Sequence, residues 1–181
     1  MNMQELKNPI EGLVKAMKIA CEKAGADIDP DMATRAEVVF FVLYLINDDG
    51  GFDEDELKLI EEAAGYSINR DFWSQTMEVA RLDSDDNYLS QPPASVMTMV
   101  DMDNALYEQG QGLACLNGIM EVYRFVGEVF VNIKGFTDEK RQNRFQKFLD
   151  MVDKYERENS QNPKVNQRVA KKKGVPAPKK S

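Results

Sequence analysis

The stretch VVFFVLYLI, Val38 to Ile46, restricts the fold more than any other part of the chain. Nine apolar residues in a row fall well short of the roughly 20 that cross a bilayer, and no longer run occurs. They complete the segment DPDMATRAEVVFFVLYLIN, which opens with Asp29 as a cap and Pro30 at the first helical position. A helix that is apolar nearly all round over its last three turns needs neighbours on every side. It is expected at the centre of a helical bundle. The segment LACLNGIMEVYRFVGEVFVNI, residues 113–133, is almost as apolar.

Five further helices follow from spacing and punctuation. The first has Asn8 as cap, Pro9 at the first position, Glu11 at the third and Gly25 as its stop, with Ile10, Leu13, Met17, Cys21 and Ala24 on one face. Another runs from Glu54 to Ala64 between Asp53 and Gly65, and the next follows Asn69 with Phe72, Trp73, Met77 and Ala80 inward. RLDSDDNYLSQPP reads as a polar connection. From Pro93 a helix carries Val96, Met99, Val100, Asp103, Leu106 and Tyr107, ending at residues 110–112. The last runs from Thr137 to about Glu158 with Phe145, Phe148, Leu149, Val152 and Tyr155 along one face. No segment alternates like a strand. The expected fold is all-α: a compact bundle of about seven helices without a sheet, residues 1–158 forming one domain. FVLYLINDDGGFDEDELKLI and EVFVNIKGFTDEKRQNRF share one design, an apolar helix, a Gly-Phe corner, a cap and a charged helix. Aligning Gly51-Phe52 with Gly135-Phe136 sets two pseudo-repeated helical hairpins 84 residues apart.

Charge is segregated. Residues 162–181 hold seven basic side chains and no acid, while residues 1–161 hold sixteen basic and thirty-one acidic ones, a net of −15. The tail, 159–181, is expected to be disordered or a linker. Its Lys171, Lys172, Lys173, Lys179 and Lys180 are candidate partner-binding residues, through phosphate or anionic lipid attraction. With no aromatic residue to stack on bases, sequence-specific nucleic-acid reading is not expected. MNMQELKNP lacks the features of a signal peptide, and two cysteines give no disulfide framework, so a cytoplasmic protein is the plain expectation.

The corner LINDDGGFDEDELKLIEEAAG raises the question of a metal. A calcium loop with Gly50 at its sixth position would have Asn47, Asp49, Asp53 and Glu56 at the third, fifth, ninth and twelfth. Its first ligand position falls on Leu45, which cannot coordinate, so an EF-hand proper does not fit. Capping explains Asp53 and the acids of the first helical turn, but not Asp48 and Asp49. Asp48, Asp49, Asp53 and Glu56 therefore stand as a candidate open site for Ca2+ or Mg2+, or for a basic partner.

The segment VVFFVLYLINDDGGFDEDELKLIEE resembles the TerB-like domain of tellurite-resistance proteins, found also at the N-terminus of a membrane-associated co-chaperone. Asp49-Gly50-Gly51-Phe52-Asp53 with Glu56 carries the likeness, with one glycine more than usual. PPASVMTMVDMDNAL and IMEVYRFVGEVFVNIKGFTDEK look like TerB-like segments that precede AAA-type ATPases. The resemblance, covering about residues 30–158, implies a small helical module with an acidic, metal-binding or partner-binding surface. It also implies an ATPase or a membrane-associated component as partner, with location at the inner membrane periphery through it.

The chain has no His, Walker loop, dinucleotide fingerprint or Cys-x-x-Cys, which removes the commonest catalytic constellations. Cys21 and Cys115 lie on apolar faces and read as structural thiols. Asp103 interrupts an apolar stripe; if buried it needs Arg124 or a backbone donor, and otherwise it edges the stripe. Of the clustered Met97, Met99 and Met102, Met99 is placed in the core, and the other two are candidates for a groove. The expected function is a non-enzymatic helical adaptor of a bacterial stress-response or defence assembly. A divalent-cation sensor or buffer is the alternative, and a phage or mobile-element accessory protein a second.

Overall fold

The computed structural model describes residues 3–25, 29–46, 54–65, 85–111, 114–133 and 137–163. Among these are seven helices and no strand: α1 (Met3–Ala24), α2 (Pro30–Ile46), α3 (Glu54–Ala64), α4 (Asp85–Tyr88), α5 (Ala94–Glu108), α6 (Cys115–Val131) and α7 (Glu139–Asn159). No described helix is long and apolar enough to cross a membrane. The expected helix after Asn69 and the basic tail lie outside the described residues.

As its sequence requires, α2 is central. It packs against α1, α3, α5, α6 and α7, and every residue from Phe41 to Ile46 is buried. Around Phe41 the aromatic rings interlock: Tyr123 of α6 stands edge-on at 5.2 Å, and Phe148 of α7 lies 4.4 Å away. Edge and tilted contacts of this kind add about 0.5–1.5 kcal/mol per pair beyond burial. The helices α6 and α7 close tightly at Gly127, where a methyl group would lie 2.5 Å from Phe145 Cε2.

Three local expectations are corrected. Proline 9 sits inside α1, not at its start, because Leu6 extends the buried stripe of Ile10, Leu13 and Met17 one turn further. A proline this near a helix start forfeits little, since the first N–H groups have no partner within the helix. The connection read as wholly polar contains α4, where Tyr88 is buried and stacks on Tyr44 at 4.4 Å. One aromatic among acids gives no periodicity to read. Tyr107, expected inward, is 40 % exposed.

The repeat is real at the level of elements, but its period is 85. The helices α2 and α6 are both 17 residues long, and α6 starts and ends 85 residues after α2. The start of α7 follows that of α3 by the same interval. So do the left-handed glycines that end α1 and α5, Gly25 (φ 66°) and Gly110 (φ 73°). In each half the three helices pack pairwise: α1, α2 and α3 in the first unit, α5, α6 and α7 in the second. Matching Gly-Phe with Gly-Phe misplaced the register by one residue, because the equivalent caps are Asp53 and Asp138, not Asp53 and Thr137. Asp138 accepts from the amides of Lys140 and Arg141 at 3.0 and 3.1 Å, a cap of the usual kind.

Candidate interaction site

Four buried or half-buried carboxylates close the ends of helices. Glu37 of α2 accepts the amide of Ser95, at the start of α5, at 3.1 and 3.3 Å. Ser95 in turn shares a hydrogen bond of 3.1 Å with the Tyr123 hydroxyl in the core. Burial pushes the Glu37 carboxyl above its ordinary range, against the lowering effect of Ser95. Asp103 of α5 accepts the amides of Cys115 and Leu116, at 2.5 and 3.1 Å, and so caps α6. Neither α5 nor α6 has a capping side chain at its own N-terminus, so each draws its anion from the preceding helix of the bundle. Backbone donors, and not Arg124, are thus the partners of Asp103.

The remaining member is Glu56. It is 2 % exposed and lies 2.7 Å from the Arg141 guanidinium, itself 2 % exposed. Arg141 also donates to the Phe130 carbonyl at the end of α6 (3.2 Å) and approaches Asp138 at 3.6 Å. One side chain thereby ties α3 to both helices of the second hairpin. Of the candidate metal ligands, Glu56 is turned into the bundle, and its nearest cation is the chain's own arginine. Asp48, Asp49 and Asp53 lie outside the described residues, as do Lys171, Lys172, Lys173, Lys179 and Lys180. Among the described residues no group of three or more carboxylates or thiols gathers as a metal site.

The open feature of the molecule is a groove between α1, α5 and α6, about 500 Å3 in volume. Its floor is Leu13, Met99 and Ile119, all buried, and its walls include Ala16, Met102 and Val122. Ile19, 46 % exposed, stands at its edge. Met102 thus lines a groove while Met99 belongs to the core. Gly12 and Gly118 face one another's helices across the groove, and a Cβ on either would meet nothing within 4 Å. A glycine inside a helix costs about 1 kcal/mol relative to alanine. Gly127 repays that cost by admitting Phe145; Gly12 and Gly118 repay it with no contact inside the chain.

Cys115 also lines the groove. Burial, then the neighbouring Asp103 carboxylate, holds its thiol above the ordinary range, which favours the unreactive protonated form. Cys21 is buried in the core. The groove escaped sequence reading because Gly12 and Gly118 are isolated glycines 106 positions apart on different helices. No protein-family model, curated protein or solved structure matches the chain.

Proposed function

We propose that the chain is a non-enzymatic helical interaction module that receives a basic amphipathic helix of a partner protein in the groove of α1, α5 and α6. The observation that carries this reading is the pair of glycines. Both line the groove, both weaken their own helices, and both leave room for a backbone to approach closely. The occupant's charge is argued from the body, whose net of −15 over residues 1–161 attracts a cationic helix and repels an acidic one. The carboxylates suited to acid–base work are engaged elsewhere: Glu37 and Asp103 hold helix N-termini, and Glu56 holds Arg141. The TerB-like resemblance supports the finer assignment, an adaptor of a bacterial stress-response or defence assembly with an ATPase or membrane-associated partner.

The test uses two synthetic 18-residue helices with the same leucine face, one flanked by lysines and one by glutamates. Calorimetry is expected to show binding of the lysine peptide alone, weakening with salt. Gly12→Leu with Gly118→Leu fills the groove without altering charge and is expected to reduce that affinity at least tenfold. Equal binding by the filled variant would assign the interaction to the acidic surface and remove the groove from the reading.

A further inference from the structure

Glu56 and Arg141 are the third residues of α3 and α7, so the buried ion pair joins equivalent positions of the two units. Contact between equivalent residues is what a two-fold relation produces, since only positions near the axis meet their own counterparts. The packing agrees: α1 meets its counterpart α5, α2 meets its counterpart α6, and the crossed pairs α1–α6 and α2–α5 both occur. The asymmetry lies in α7, which is 21 residues long against 11 for α3.

In a pair of identical units the position at the axis would bring glutamate to glutamate or arginine to arginine, and a like-charged pair buried to 2 % exposure is not tolerated. This chain carries one of each. The inversion extends beyond the axis: Asp55 answers to Lys140 and Glu62 to Lys147 at the same 85-residue interval. We propose that the two three-helix units are complementary docking partners, each accepting the other kind and rejecting its own. The surface that α1–α3 present to α5–α7 is therefore also a surface for α5–α7 of a second copy of this chain. Nineteen residues separate Gly65 from Asp85, and a connection of that length reaches on the order of 60 Å, enough to close within a chain or between two.

Two variants separate this proposal from simple stabilisation by an ion pair. The first carries Glu56→Arg. The second carries Arg141→Glu with Asp138→Asn, which keeps the α7 cap while removing the anion beside it. Each places like charges at the axis of its own chain, and each supplies what the other lacks. Refolded together in equal amounts and weighed by native mass spectrometry, they are expected to give a heterodimer in at least tenfold excess over either homodimer. All three substitutions in one chain are expected to restore the monomer. If neither variant folds alone, soluble protein recovered only from the mixture supports the proposal equally. A mixture that yields no heterodimer, or no soluble protein, overturns it. So does a triple variant that melts no higher than the single-site ones.

Discussion

Glu56 and Arg141 meet at 2.7 Å in the interior, 85 residues apart and at the same place in two successive three-helix units. A carboxylate that reads in sequence as part of an exposed acidic corner is thus a tie between halves of the fold. Removing one partner leaves the other charge buried, which costs about 3–5 kcal/mol. Glu56→Gln and Arg141→Met are each expected to lose that much in urea unfolding. Their combination is expected to cost less than the sum by about 1–3 kcal/mol, the coupling of residues in direct contact.

Asp103 is expected to show its role in two readouts. Asp103→Ala leaves the amides of Cys115 and Leu116 without their acceptor and should cost about 1–2 kcal/mol, the range for a lost helix cap. Asp103→Asn keeps the shape and removes the charge that helps hold the Cys115 thiol up. Alkylation of Cys115 at pH 8 is then expected to run faster than in the parent protein. An unchanged rate would leave burial as the whole cause of the shift.

The buried carboxyl of Glu37 has a folded-state pKa above its unfolded value. The folded chain therefore holds a proton there that the unfolded chain has released, and stability from this group falls as pH rises through the folded pKa. Asp31 has the opposite sign: Arg35 at 2.6 Å and Lys18 at 3.1 Å lower its pKa, so its contribution is lost as pH falls. Glu37→Gln keeps an acceptor for Ser95 and removes the ionisation. Its melting temperature relative to the parent is expected to rise with pH from 4 to 8.

Three helix glycines should divide by sign. Gly12→Ala and Gly118→Ala are expected to stabilise by about 0.5–1 kcal/mol, because nothing opposes the added methyl. Gly127→Ala is expected to destabilise by about 1–3 kcal/mol, because Phe145 must move. Thermal melts of the three variants decide it.

The legible part of the fold is the part written in short-range chemistry. The Asp29-Pro30 entry, the Glu54–Ala64 helix bounded by Gly65, and the all-round apolar α2 stand where sequence spacing puts them. Capping by remote side chains was not legible. Glu37 and Ser95 are 58 positions apart, and nothing local marks them as partners. Asp103 was conspicuous as an acid in an apolar stripe, yet which helix end it serves depends on how α5 and α6 cross. The corner at Asp53 and Glu56 drew attention for its charge, while the groove, made of glycine, alanine and methionine, carried no charge to notice.

The most direct measurement for the interaction reading is amide chemical-shift mapping of the isotope-labelled chain during titration with the lysine-flanked leucine helix. Saturable shifts are expected at Gly12, Gly118 and their neighbours on α1 and α6. Shifts confined to α3, around Glu54, Asp55 and Glu61, with the groove glycines unmoved, would contradict it.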